Sequence, residues 1–237
     1  MYKDKRFAAI VLAAGTGSRM KSDKPKQYMD LDNKEVLYYS LAAFSKSAVD
    51  EIILVTGEKD IEFCKDRFVN EYGFDKISQI VAGGSERFLS VQNGLKAIHE
   101  ADYVMIHDGA RPCITETLIN KLMDEVIING ACTLGVPVKD TIKVVDEDGV
   151  GVATPDRKTL WQVQTPQCFI YDEISKAYIK MQKELDECGG VGINITDDTM
   201  IMETFYNRKS KLIMGDYRNI KITTPEDISV AKIFLEI

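Results

Sequence analysis

Residues 7–26 read FAAIVLAAGTGSRMKSDKPK, and this stretch decides how the rest of the chain is read. Phe7–Ala14 is an unbroken apolar run of strand length, without polar alternation. Such a strand is buried on both faces, as in a parallel sheet covered by helices. It runs into Gly15-Thr16-Gly17, a turn whose backbone N–H groups can approach an anion closely. The dinucleotide fingerprint is incomplete, because Met20 stands where a third glycine belongs, and no Gly-Lys-Ser/Thr follows as in a P-loop. Instead Arg19, Lys21, Lys24 and Lys26 cluster within eight residues, opposed by Asp23. A glycine turn beside such a cluster suits a polyphosphate better than a merely solvated basic loop.

Outward from this strand the same alternation repeats. Glu51–Thr56 (EIILVT), Lys76–Ala82, Tyr103–His107 (YVMIH) and Ala131–Val138 read as further strands. Val36–Phe44, Glu58–Tyr72, Glu86–Glu100 and Thr115–Asn129 carry apolar residues at helical spacing, with Thr115 as an N-cap. Strands alternating with helices indicate an α/β fold with a mainly parallel central sheet. The pattern changes at Lys139. Two short β-branched runs, TIKVV and VGVAT, flank a DEDG turn, so residues 139–159 predict a projecting β-hairpin arm. Helices are expected at Asp172–Cys188 and Thr196–Phe205, separated by a glycine-rich loop. Strands are expected at Lys211–Met214 and Asn219–Thr223, and a last helix starts at Thr224-Pro225-Glu226-Asp227. The length, 237 residues, fits one domain, 1–237, carrying the arm.

The net charge is −7, from 30 Lys and Arg against 37 Asp and Glu. That balance argues against a nucleic-acid partner and against adhesion to an anionic membrane. The five cysteines show no metal or disulfide spacing and read as reduced, mostly core thiols of a cytoplasmic protein. No run is long enough to span a membrane.

Two further loops follow strands. GGSERFLSVQNGL, residues 83–95, turns from the third strand into a helix N-terminus, with Ser90 at the edge of the apolar stripe. HDGARP, residues 107–112, follows the fourth strand, where open α/β sheets bind ligands. Asp108 there suits a divalent cation or a ribose hydroxyl, Arg111 suits a second anion, and His107 reads as a buried strand residue. Thr141 and Arg157 stand at the feet of the arm. Thr165 lies in WQVQTPQ, Thr196 in NITDD and Lys221 in NIKIT. Thr141 and Thr165 have an ordinary strand or turn reading, Thr196 that of a helix N-cap, and Lys221 that of a surface lysine.

The ordered set AAGTGSRM, KPKQY, GGSERFLSV, HDGARP, KDTIK, WQVQTPQ, ITDD and NIKITTPED resembles the 2-C-methyl-D-erythritol 4-phosphate cytidylyltransferases, from Ala8 to about Ile233. The resemblance implies a Rossmann-like nucleotidyltransferase fold and a homodimer in which each β-arm completes the partner's site. It implies that Arg19 and Lys26 grip the triphosphate of CTP, the co-substrate. Ala13, Ala14, Gly15, Thr16 and Gly17 would line the nucleotide. Gly84, Ser85 and Ser90 would face the cytosine, and Asp108 the ribose and Mg2+. Arg111, Thr141, Arg157, Thr165 and Thr196 would hold the methylerythritol phosphate. Lys221 would neutralise charge near the α-phosphate. Many family members carry an acid just before the NIK segment; this chain has Arg218 there, with Asp216 the nearest acid.

The implied reaction is attack of a phosphate oxygen on the α-phosphorus of CTP, expelling pyrophosphate. A phosphate monoester has a second pKa of about 6, so it is largely ionised at pH 7 and needs no general base. The work left to the protein is positioning and charge neutralisation by Lys, Arg and Mg2+. Ribitol 5-phosphate is the nearest rival acceptor, but AAG, DGARP, WQVQTPQ and ITDD favour methylerythritol phosphate over the AGG, DAVRP, YQGQTPQ and SDA of that subfamily. A non-catalytic nucleotide sensor would not need the clustered cations with Asp108 and Lys221. A Rossmann dehydrogenase would need the missing glycine.

Overall fold

The computed structural model describes residues 1–15, 24–188 and 195–237. The opening apolar run forms β1 (Phe7–Ala13). Its side chains alternate between two cores: Phe7, Ala9 and Val11 face one, while Ala8 and Ile10 face the other. This two-sided burial is why the strand shows no polar alternation in sequence. The same holds for β2 (Glu51–Thr56) and β4 (Tyr103–Asp108), buried along their whole lengths. β3 (Ile77–Ala82), β5 (Ala131–Pro137), β8 (Trp161–Ile170) and β9 (Lys211–Met214) complete a sheet of order β3-β2-β1-β4-β8-β5-β9. β8 runs antiparallel to both β4 and β5, and the other pairings are parallel.

Helices cover both faces. α1 (Val36–Lys46) and α4 (Glu116–Asn129) contribute Leu37, Leu41, Phe44, Leu122 and Val126 to one core. α3 (Arg87–Ala97), α5 (Tyr171–Cys188) and α6 (Asp198–Tyr206) contribute Val91, Leu95, Tyr178, Met181 and Ile201 to the other. α7 (Glu226–Leu235) closes a smaller cluster with Leu31, Cys113 and Ile222. Thr115 caps α4 as expected, accepting from the Leu118 amide at 3.3 Å. Asp227 Oδ2 accepts from the Thr223 and Thr224 amides and so anchors the start of α7.

Three expectations are corrected and one strand is added. The Glu58–Tyr72 helix is a 3-10 turn, then α2 (Ile61–Cys64), then a π-helical stretch over Lys65–Glu71. β8 carries WQVQTPQ as a central strand; its buried Gln164, Thr165 and Gln167 together with Pro166 hide it from an apolar-run reading. Asn219–Thr223 is not a strand, because its backbone bonds to loops, with the Ile222 amide on the Ala110 carbonyl at 2.8 Å. α6 is capped by Asp197, which accepts from the Met200 amide, and not by Thr196.

The arm is present as an exposed hairpin of β6 (Val144–Val145) and β7 (Gly151–Ala153). Asp146 Oδ1 holds its turn through the Asp148 and Val150 amides, with Gly149 at φ +79°. Among the described residues no helix is long and apolar enough to cross a membrane.

Candidate active site

The strand order reverses between β1 and β4, so their carboxyl ends diverge into a crevice where open α/β sheets bind ligands. Leu12 pairs with Asp108 across that point. A cleft of about 380 Å3 opens there, lined by Ala13, Ala14, Gly15, Lys26, Gly84, Ser85, Ser90, Asp108 and Lys221 among others. Gln27 shapes one wall. Its buried amide donates to the carbonyls of Ala13 (2.5 Å) and Gly15 (3.0 Å), tying the 3-10 turn Lys26–Tyr28 to the end of β1. Lys26 Nζ reaches the Ile222 carbonyl at 2.8 Å, which brings it beside the segment that carries Lys221.

The opposite wall is the turn before α3. Ser90 Oγ accepts from the Gly84 amide (3.1 Å) and donates to the Glu86 carbonyl (3.2 Å). Gly83 is required by close approach: a Cβ there would lie 2.3 Å from Ala14 Cβ and 2.8 Å from Ser90 Oγ. The segment that follows β1 and the turn before α3 therefore touch backbone to side chain.

A second cavity, about 330 Å3, adjoins the first and is lined by Arg111, Val163, Gln164, Thr165, Gln167, Thr196 and Asp197. Asp108, Lys221 and Arg87 line both cavities. Asp108 Oδ2 accepts from Lys221 Nζ at 2.6 Å and its Oδ1 from Arg87 Nε at 3.1 Å. Burial alone would raise the Asp108 carboxyl. Arg87, Lys221 and Arg111 outweigh it and hold the group well below the usual carboxylate range. Asp108 is therefore an ionised, hard oxygen donor at the seam.

Lys221 is delivered by a laced loop. Asn219 Nδ2 donates to the Thr165 carbonyl (3.0 Å), and Arg111 Nη1 donates to the Asn219 carbonyl (2.8 Å). Thr165 Oγ1 accepts from the Asp108 amide (3.1 Å) and contacts His107 Nδ1 (3.2 Å). His107 is fully buried, as expected, and burial pushes its imidazole down to about 3. It lines neither cavity and stays neutral at pH 7.

Thr141 and Arg157 stand apart from both cavities, exposed on the arm; Arg157 Nη1 closes the arm's foot on the Lys139 carbonyl. Thr16, Gly17, Arg19 and Lys21, and the glycine-rich residues 189–194, lie outside the described residues. Asp216 is turned onto Arg218, with Oδ2 3.1 Å from Arg218 Nη2, and lines neither cavity. Among the described residues no group of three or more His, Cys, Asp or Glu forms a metal cluster. A lone ionised Asp108 still fits Mg2+, which takes few carboxylates where phosphates and water supply its other oxygens.

A family model described as IspD, 2-C-methyl-D-erythritol 4-phosphate cytidylyltransferase, matches residues 7–237. The chain belongs to this family. Within the cytidylyltransferase family, the protein of that name from Lachnospira eligens is 51% identical over 229 residues, covering 96% of this chain and 98% of the relative. Its counterpart from Lachnoclostridium phytofermentans is 47% identical over 230 residues, covering 97% and 96%. The crystal structure of 4-diphosphocytidyl-2C-methyl-D-erythritol synthase from Anaerococcus prevotii matches with a TM-score of 0.82 at 35% identity, covering 98% of this chain and 97% of that one.

In this cytidylyltransferase Arg87, Gln27, Gln167 and Asp198 join the site without being singled out by any of the sequence motifs. Gln167 Oε1 accepts from the Asp198 and Thr199 amides, fixing the start of α6 beside the second cavity. A signal did exist for Arg87. A cation as the first residue of a helix opposes the macrodipole and needs a partner elsewhere.

Proposed function

We infer that the chain transfers CMP from CTP to 2-C-methyl-D-erythritol 4-phosphate, releasing pyrophosphate and forming 4-diphosphocytidyl-2-C-methyl-D-erythritol. Family membership supports the reaction. The observation that carries the site assignment is the pair of adjoining cavities sharing Asp108, Lys221 and Arg87. One suits a nucleotide and the other a small anionic acceptor, and their seam is where the α-phosphorus would sit.

In this reading Arg19 and Lys26 take the triphosphate, with the backbone of Ala13 to Gly17 along the nucleotide. Gly84, Ser85 and Ser90 face the cytosine. Arg111, Thr165 and Thr196 hold the acceptor, and Thr141 and Arg157 reach it from the arm of a second subunit. The exposure of both arm residues, and of the apolar Ile142, Val144, Val145 and Val152 beside them, supports a homodimer formed through the arm. Asp108 would hold Mg2+, which when bound neutralises phosphate charge. Lys221, 2.6 Å from Asp108, supplies a positive charge at the seam. The acceptor phosphate needs no proton removed. The neutral, buried His107 is accordingly no general base. Residues 1–237 act as one domain with residues 139–159 as its arm. The buried thiols of Cys64, Cys113, Cys132 and Cys168 support a reducing, cytoplasmic setting.

Pyrophosphate release from CTP, compared with methylerythritol phosphate and with ribitol 5-phosphate, tests the reading. Release with the first acceptor is expected. Release with ribitol 5-phosphate alone would reassign the acceptor, and none with either would leave a nucleotide-sensing module.

A further inference from the structure

Arg87 joins parts of the molecule that are distant in sequence. Its Nε donates to Asp108 Oδ1 at 3.1 Å, and its Nη2 donates to Asp198 Oδ2 at 2.8 Å. Asp198 is fully buried at the first position of α6 and lines neither cavity. Its other oxygen accepts from the buried Tyr178 hydroxyl of α5 at 2.6 Å. Burial, reinforced by Asp198, pushes that hydroxyl well above its ordinary range, so it stays a donor. A chain of charge-assisted bonds thus runs from α5 through α6 and α3 to the seam. At its end Asp108 is held on one oxygen by Arg87 and on the other by Lys221.

The two cations differ in how they are held. Lys221 sits on a loop and has a single ammonium, which can turn toward an arriving phosphate. Arg87 is a rigid fork whose second prong is fixed in the protein interior. We propose that Arg87 is a positioning residue that acts through Asp108. It fixes the carboxylate's orientation at the seam, with Asp198 and Tyr178 as its support, so that Lys221 can leave Asp108 for substrate without the carboxylate swinging. The inference rests on the role of Asp108 proposed above.

Five variants test it, each measured for kcat, for KM of both substrates and for thermal unfolding. Asp108→Asn is the reference, and it should lose most of kcat. Arg87→Met should lower kcat about tenfold to a hundredfold, the usual cost of losing a support that orients a catalytic group. It should also lower Tm, because Asp198 is left buried without its cation. Asp198→Asn should lower kcat although it touches neither cavity. The double variant Arg87→Met/Asp198→Asn removes both charges and should recover Tm while kcat stays low. A purely structural role predicts that activity returns with Tm in the double variant, and that result would overturn the proposal. So would wild-type kcat in Arg87→Met. If the methionine variants do not fold, Arg87→Lys decides: it keeps the charge but cannot bond both carboxylates. Lowered kcat at unchanged Tm supports the clamp, and wild-type kcat refutes it. Should Asp108→Asn itself keep full kcat, the role given to Asp108 fails, and the inference about Arg87 falls with it.

Discussion

Replacing His107 by asparagine should flatten the acid side of the stability profile. The imidazole is fully buried, packs tilted against Phe44 at 5.2 Å between ring centroids, and meets Thr165 Oγ1 through Nδ1. Its Nε2 is buried without a hydrogen-bond partner. Burial pushes its pKa down from 6.5 to about 3; Asp108 pulls the other way without reversing the shift, and Arg111 adds to it. Below pH 6.5 the unfolded chain takes up a proton that the native state refuses. The unfolded state then binds more protons, so stability falls as pH drops from 6.5 toward 3 and is independent of this group above 6.5. From pH 8 to pH 5 the loss is about 2 kcal/mol, rising to about 4 kcal/mol at pH 3. Asparagine keeps an acceptor near the Nδ1 position but does not titrate. Its packing cost is the same at every pH, so it cancels in the difference. Urea unfolding at pH 8 and pH 5, at fixed protein concentration, measures that difference for both proteins. His107→Asn should lose about 2 kcal/mol less than the wild type over this interval. Equal losses would refute the argument, and so would an imidazole seen to titrate near 6.5 by NMR in the native protein.

Lys26→Ala and Lys221→Ala should each lower kcat by about a hundredfold or more, because each charge acts on phosphate negativity that shifts in the transition state. Steady-state kinetics giving full kcat with only a raised KM would remove that role. Mixing inactive Arg157→Ala and Lys26→Ala subunits should restore about a quarter of wild-type activity, since half of the dimers would each hold one intact composite site. No recovery after verified subunit exchange would argue against arm exchange. Gly83→Ala should weaken CTP binding about tenfold or more, because the added methyl collides with Ala14 and Ser90 and pushes the two cleft walls apart. Calorimetric titration with CTP reads this, and an unchanged affinity would show that the walls yield at no cost.

Much of this molecule was legible locally. A strand buried on both faces is a continuous apolar run whatever it packs against, so β1, β2, β4 and β5 could be found one at a time. Helix caps such as Thr115, and the hairpin turn at 146–150, are likewise local hydrogen-bond arrangements. β8 was not legible, because a central strand built from Gln164, Thr165, Pro166 and Gln167 departs from every apolar pattern. Its polar side chains are bonded across the fold: Gln167 to α6, Thr165 to β4 and Gln164 to the 216–219 loop.

The cations near residues 19–26, Asp108 at a strand end and the ordered motifs follow from sequence alone, because residue type and short spacing determine their chemistry. What the tertiary structure decided is which charges meet. Arg87, Asp198 and Tyr178 are up to 111 residues apart, and no local pattern links them. They come together because the sheet order sets β4 beside β1 and the helices of one face pack over that junction. A buried charge must find its partner wherever packing leaves one. The sequence therefore names the ionisable residues, while the fold pairs them.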